Sequence, residues 1–320
     1  MKIDHLFRWD LDKTYLKTDF ESFKSLVKTF FQTPSEKENI PASDLLIKAL
    51  RRDSNGTAAI YFLSGSPKQM RKVLQAKLRM DGVYCEDFQL KDNLRNVLTA
   101  RFRAVRDQLG FKLPALLESR TKVSPSTTET LIGDDAEQDA FIYSLYADLL
   151  AGSITPEELD RILTQSRVFP DVRVRIHDAL DHFDPIEPVE RIIIHLTHRT
   201  SPQKFSIYGP RLVPVYNYLQ ASIVLMTDGR LSPEGVHEIA RFFSSQLQYD
   251  HRHYIRLLRD MVRRRLLCKQ NLEMLLEVRN EYKDEVFNGS LETVREKIPG
   301  STEFRSRNQS DWQVPYSTLL

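Results

Sequence analysis

Two aspartates, Asp10 and Asp12, lie two positions apart just after a short apolar run at residues 3–9. On extended backbone that spacing turns both side chains to one side. Paired carboxylates of this kind suit phosphoryl transfer: one attacks phosphorus while its neighbour protonates the departing oxygen. The charge on the transferring group has to be neutralised, and Mg²⁺, a hard cation, prefers oxygen ligands. Asp134 and Asp139, which follow another apolar run and Gly133, can complete such a metal site. Ser64, after a third apolar run, can donate a hydrogen bond to a phosphoryl oxygen, and a lysine can balance the charge. Each feature alone is weak. Aspartates are common at strand ends as turn residues. Ser64 or Ser66 before Pro67 also reads as a helix cap, a role compatible with anion binding.

The elements that must position these residues read as alternating strands and helices. Strands are expected over 3–9, 58–63, 83–89, 128–132 and 191–196. The run 58–63 is continuously apolar and β-rich, the pattern of a strand buried on both faces. Thr18 and Glu21 form a capping box ahead of a helix expected over 19–31. Further helices are expected over 44–51, 68–80 and 94–110. Such alternation implies βαβ units and a parallel sheet, in which ligands bind beyond the carboxyl ends of the strands. Asp10 to Asp12, Ser64 and Asp134-Asp135 all fall at such ends. The second half is helical. Thr155-Pro156-Glu157-Glu158 and Ser232-Pro233-Glu234 start helices, 253–284 keeps a helical period, and the polar chain beyond 288 reads as a loosely held tail.

Composition narrows the function classes. Lys plus Arg number 46 against 44 Asp plus Glu, so the net charge of +2 gives no reason to expect nucleic-acid binding. Cys85 and Cys268 form neither a disulfide framework nor a zinc spacing, and reduced thiols suit a reducing compartment. No apolar run approaches the roughly 18 to 20 residues of a membrane span. The start, Met1-Lys2-Ile3-Asp4-His5, lacks the apolar core of a signal peptide, so the expected location is cytoplasmic. His195 and His198 read as structural residues of a strand. The segment 252–269 is the strongest charge cluster, with Arg252, Arg256, Arg259, Arg263, Arg264, Arg265 and Lys269 against Asp260 alone. It reads either as the solvated side of a packed helix or as a basic amphipathic helix able to dock on anionic lipid. Nothing in the sequence fixes an oligomeric state.

At these residues the sequence resembles the haloacid dehalogenase (HAD) superfamily of phosphatases. Asp10-Leu11-Asp12-Lys13-Thr14 matches its D-x-D-x-T motif, Ser64 its second motif, and Gly133-Asp134-Asp135-Ala136-Glu137-Gln138-Asp139 its acidic fourth motif. Three stretches look like the phosphatidate phosphatase catalytic domain of the actin-patch and lipin-related group. They are Leu63-Ser64-Gly65-Ser66-Pro67, Gln89-Leu90-Lys91-Asp92, and Leu131 through Asp139 to Ile142-Tyr143. The resemblance implies an α/β fold with a HAD-like Rossmannoid parallel sheet over 1–216. A helical insertion near 144–188, a helical extension over 217–287 and a tail over 288–320 would complete the chain.

The resemblance also implies roles. Asp10 matches the aspartyl nucleophile and Asp12 the general acid/base, whose main-chain carbonyl also binds the metal. Thr14 matches the hydroxyl that steadies the motif loop, and Ser64 with Gly65 the phosphate-binding turn. Asp134 matches the principal carboxylate for Mg²⁺, and Asp139 a water-mediated one behind it. Lys112 is preferred as the motif lysine over Lys122 and, more distantly, Lys91. Two departures stand out: Asp135 replaces the usual Ser, and about fifty residues separate Asp139 from the fifth strand. The implied function is a Mg²⁺-dependent phosphomonoester hydrolase working through an aspartyl-phosphate, on phosphatidate or a related lipid phosphate. The alternatives are a lipid-phosphate-binding module without turnover, or a phosphatase of protein or nucleotide phosphates. Residues 15–57 hold little that could form a lid, so the site is expected to be open at its mouth.

Overall fold

The computed structural model describes residues 2–18, 33–91, 104–282, 286–287, 289–297 and 312–320. The helix expected over 19–31 and the first part of that expected over 94–110 lie outside these residues. The chain divides into two units: Met1–Ile40, Thr57–Pro214 and Asn308–Leu320 form the first, Pro41–Gly56 and Val215–Arg307 the second.

The first unit is built on a six-stranded parallel sheet. Its strands are β1 (His5–Asp10), β2 (Ala58–Pro67), β3 (Asp87–Lys91), β4 (Thr128–Asp134), β5 (Val189–His195) and β6 (Leu212–Val215), in the order β3-β2-β1-β4-β5-β6. The twelve α-helices of the described residues are α1 (Ser43–Asp53), α2 (Arg71–Met80), α3 (Ala104–Arg120), α4 (Asp139–Leu150), α5 (Pro156–Gln165), α6 (Pro170–Leu180), α7 (Tyr218–Thr227), α8 (Pro233–Leu247), α9 (His251–Arg263), α10 (Lys269–Tyr282), α11 (Ser290–Arg295) and α12 (Tyr316–Leu319). The sheet bears out the α/β reading. From β1 the chain winds outward through β2 to β3 and then returns to β4 on the other side of β1. The crevice between the carboxyl ends of β1 and β4 is therefore the topological switch point, where open sheets of this kind bind ligands.

Several boundaries differ from expectation, each for a visible reason. β1, β2 and β4 run further than expected and take in Asp10, Ser64 and Asp134, because their parallel neighbours continue the ladder beside them. β6 is absent from the sequence reading: four residues with Pro214 among them give no strand signal. The helix expected to stop at Gly110 runs through Pro114 to Arg120, because Leu109, Leu113, Leu116 and Leu117 keep an apolar face buried. The expected caps at Thr155 and Ser232 are present, accepting from the N–H groups of Glu158 and Gly235.

Every residue of α4 is buried, as befits a helix inside the core rather than on it. The segment 144–188, expected as a helical insertion, holds the end of α4 and then α5 and α6, whose Leu159, Ile162, Leu163 and Ile176 join the same apolar cluster as α4. Residues 312–320 are not a loose tail. Val314 and Tyr316 are buried in that cluster, and the Tyr316 hydroxyl donates to Asp148 Oδ2 at 2.6 Å. The second unit is helical. Its single expected period over 253–284 is two helices, α9 and α10, separated where Arg265 adopts φ 58°.

Below the switch point, β1 and β4 are tied by a buried ionic group. Arg8 donates to both oxygens of Glu129 at 2.9 Å, Arg120 Nη1 donates to Oε1 at 3.1 Å, and the Tyr146 hydroxyl donates to Oε2 at 2.9 Å. Burial alone would push the Glu129 carboxyl up, but Arg8 and then Arg120 hold it below the usual carboxylate range.

Candidate active site

The site is assembled from four strand or helix ends. Asp10 is the last residue of β1, and Asp12 follows in a tight loop in which Tyr15 and Leu16 N–H both donate to the Leu11 carbonyl. Lys13 takes a left-handed φ of 59° to make that turn. Its N–H donates to the Thr18 hydroxyl at 3.0 Å, and its carbonyl accepts from Thr197 at 3.2 Å. Ser64 and Ser66 come from the irregular end of β2, Lys112 from inside α3, Asp134 from the end of β4, and Asp139 from the first turn of α4. Gly133 is needed where it is, since a Cβ there would run into the Asp139 carboxylate.

Asp10, Asp134 and Asp139 are all buried, and each offers a carboxylate oxygen within 4.8 Å of the others. Lys112 lies among them, donating to Asp139 Oδ1 at 2.5 Å, Asp10 Oδ1 at 2.8 Å and Glu137 Oε2 at 3.1 Å. Asp10 Oδ2 is buried with no hydrogen-bond partner. Asp134 Oδ1 accepts from the N–H groups of Ala136 and Glu137 at 2.5 and 3.0 Å, and Thr14 donates to Oδ2 at 3.4 Å. Asp12 faces a different set of partners: its Oδ2 accepts from both Ser64 and Ser66 at 2.7 Å.

The electrostatics follow from burial and crowding. Burial, followed by the neighbouring carboxylates, pushes Asp134 well above the usual carboxylate range. Burial also raises Asp10 strongly, with Lys112 pulling the other way and Asp139 and Glu137 adding to the rise. Asp12 is raised by burial against the two serine hydrogen bonds, which suits a group that must hold a proton for part of its work. Lys112 is opposed by burial, but the charges of Asp10, Asp139 and Glu137 outweigh it and hold the ammonium well above the lysine range.

The structure thus brings Asp10, Lys112, Asp134 and Asp139 into one cluster, with Thr14 at its edge and Asp12, Ser64 and Gly65 beside it. Lys122 is exposed and Lys91 lies at the end of β3, so neither takes the place of Lys112. Asp139 groups directly with Asp10 and Asp134. Asp135, the departure from the family pattern, points away: its carboxylate accepts from His198 and Thr200 N–H at 2.9 and 3.1 Å and shapes the loop after β5. Asp10, Ser64, Lys112, Asp134 and Asp139 expose no surface. The expectation of an open mouth rested on residues 15–57, of which 19–32 lie outside the described residues.

Three contributors escaped the sequence reading. Ser66 shares the turn of Ser64 and could have been found from the two-residue spacing. Glu137 lies within the acidic motif but carried no assigned role. Lys37, from the Thr33–Ile40 strap, is buried and its charge acts on Asp12. That strap is fixed by Lys17 N–H donating to Glu38 O at 2.8 Å and Ile40 N–H to Tyr15 O at 2.9 Å, a pairing with no sequence signal.

Residues 9–155 match the family model for phosphatidate phosphatase APP1, catalytic domain. That family is one of the HAD-like phosphatase group. The match opens one residue before Asp10 and closes after α4, so the matched stretch contains every side chain of the cluster. It supports a phosphatase. No curated protein and no solved structure matches the chain.

Proposed function

We propose that this chain is a Mg²⁺-dependent phosphomonoester hydrolase working through an aspartyl-phosphate on Asp10, with phosphatidate or a related lipid phosphate as substrate. The observation that carries the reading is an imbalance of charge. Asp10, Asp134, Asp139 and Glu137 crowd around a single ammonium, and an oxygen of Asp10 is left buried without a partner. A donor set made only of carboxylate oxygens fits a hard divalent cation. Asp10, Asp134 and Asp139 would hold it, with the Asp12 carbonyl. Bound there, Mg²⁺ would offset the charge of the carboxylates and of the phosphoryl oxygens.

The chain's own residues do the rest. The Asp10 carboxylate attacks phosphorus, the P–O bond to the leaving group breaks, and Asp12 gives its proton to the departing alkoxide. Water then attacks the aspartyl-phosphate, Asp12 takes the proton back, and inorganic phosphate leaves with Asp10 restored. Ser64 and Ser66 orient Asp12 by donating to its Oδ2, and the Ser64 hydroxyl would turn to a phosphoryl oxygen only by leaving Asp12. Lys112 neutralises Asp10 and the incoming group.

The lipid assignment rests on the family match and on α9. Arg252, Arg256, Arg259 and Arg263 are exposed along one side of that helix, while Tyr254, Leu257, Leu258 and Met261 are buried on the other. That basic side is read as a peripheral contact with an anionic, cytoplasmic membrane surface. No described helix is long and apolar enough to cross a membrane.

The test is a panel of phosphate esters with Mg²⁺: phosphatidate in mixed micelles, sugar phosphates, nucleotides and a phosphopeptide, with Asp10→Asn as blank. Turnover of phosphatidate alone is expected. Hydrolysis restricted to sugar phosphates would overturn the lipid assignment, and no turnover above the blank would favour a binding module.

A further inference from the structure

Lys112 has three N–H donors and no more. All three are taken, by Asp10 at 2.8 Å, Asp139 at 2.5 Å and Glu137 at 3.1 Å. The active-site reading, on which this inference rests, needs Lys112 to reach a phosphoryl oxygen as well. A substrate can gain that donor only by displacing one of the three carboxylates.

The three are not equivalent. Asp10 must stay, since it attacks. Asp139 is fully buried in the first turn of α4 and makes the shortest contact. Glu137 makes the longest contact, its side chain is 16% exposed where the other two expose 1% or less, and it sits on the bend between β4 and α4 rather than on a regular element. Its backbone N–H is anchored on Asp134, so the side chain can leave Lys112 without moving the loop. A carboxylate is also a fair mimic of one edge of a phosphate: two negative oxygens offered to the same ammonium.

We propose that Glu137 is a placeholder for the substrate phosphate, occupying the third donor of Lys112 until a phosphoryl group displaces it and competing with inorganic phosphate after hydrolysis. The placeholder accounts for the third contact on the Lys112 ammonium. It also supplies a way out for the product, since the returning carboxylate weakens the hold of Lys112 on phosphate.

The prediction runs against that for an ordinary binding residue. Removing the charge by Glu137→Gln should tighten binding of inorganic phosphate about fivefold, the order expected for one partly exposed ion pair. It should lower KM for phosphatidate by a similar factor. The measurement is titration calorimetry of inorganic phosphate with Mg²⁺ present, repeated as product inhibition, on wild type, Glu137→Gln and Glu137→Ala, with melting temperatures alongside. Glu137→Asp, which keeps the charge but shortens the reach, should fall between Gln and wild type. Weaker or unchanged phosphate binding in folded Gln and Ala variants would overturn the proposal and make Glu137 a residue that merely holds Lys112 in place. If wild type binds no phosphate, or binds it equally well in Lys112→Ala, the active-site reading fails and this inference with it.

Discussion

The same two strands carry two buried ionic clusters of opposite character. Lower on β1 and β4, Arg8 and Arg120 surround Glu129, every Glu129 oxygen is hydrogen-bonded, and the carboxyl is held below its usual range. At the carboxyl ends of those strands four carboxylates surround Lys112, Asp10 and Asp134 are driven well above the usual range, and an oxygen of Asp10 has no partner. One cluster satisfies itself and ties the sheet. The other leaves like charges crowded together and a carboxylate oxygen of Asp10 unused. Buried charge is expensive unless paired, so an excess of buried negative charge in an otherwise well-satisfied core marks the place where stability has been given up for function.

The comparison is most sharply tested by removing one acid from each cluster. Asp134→Asn is expected to lower Mg²⁺-dependent turnover by about 10² to 10³, the size of losing one preorganised electrostatic group. It should leave the metal-free melting temperature unchanged or raise it, because it relieves like-charge crowding. Glu129→Gln should do the reverse. It strands two buried arginines and should cost about 3–5 kcal/mol in urea unfolding, while the folded fraction keeps its Mg²⁺ affinity. A fall in stability for Asp134→Asn as large as that for Glu129→Gln would erase the distinction.

Much of this was legible in the sequence. Asp10, Asp12, Ser64 and Asp134 stood out because apolar runs halt at polar residues, at strand ends that converge in a parallel sheet, whereas Lys112 was preferred to Lys122 and Lys91 only through the family resemblance. What could not be read depended on contacts distant in the chain. The strap carrying Lys37 is held by backbone pairing to residues 15–17 and by Asn39 donating to Asp81 Oδ2. Glu129 carried no assigned role in the sequence, and only the approach of Arg8 and Arg120 makes it a partner. Residues 312–320 looked polar enough for a tail, yet Val314 and Tyr316 fill a gap in the core that no local pattern announces.

The clusters should also respond oppositely to pH. Asp10 and Asp134 have raised values in the folded chain, so it binds their protons more tightly than the unfolded chain does. Their share of stability is present below the ordinary carboxylate range of about 4 and is lost as pH rises through the raised values. Glu129 is depressed, so its share is present above the ordinary range and lost as pH falls through its lowered value. In EDTA, the melting temperature of wild type should therefore fall as pH climbs above the carboxylate range, and Asp134→Asn should flatten that slope. Saturating Mg²⁺ should restore stability, by about 2.7 kcal/mol at a hundred times its Kd. A slope identical in wild type and Asp134→Asn would remove the electrostatic basis of the contrast.

The smallest expected effect is at Asp12. Ser66→Ala removes one of its two hydroxyl donors and leaves Ser64. A neutral hydrogen bond is worth about 1 kcal/mol, so kcat should fall less than tenfold. A loss as large as that of Asp134→Asn would mean that Ser66 binds the phosphoryl group itself.

The central claim is that the incomplete cluster forms a covalent phosphoryl bond at Asp10. The direct measurement is peptide mapping by mass spectrometry after incubation with phosphatidate and Mg²⁺ and a rapid acid quench. The account predicts a phosphate on the peptide containing Asp10, present in wild type, absent in Asp10→Asn and absent in EDTA. Full hydrolysis with no label at Asp10, or undiminished turnover by Asp10→Asn, would contradict it.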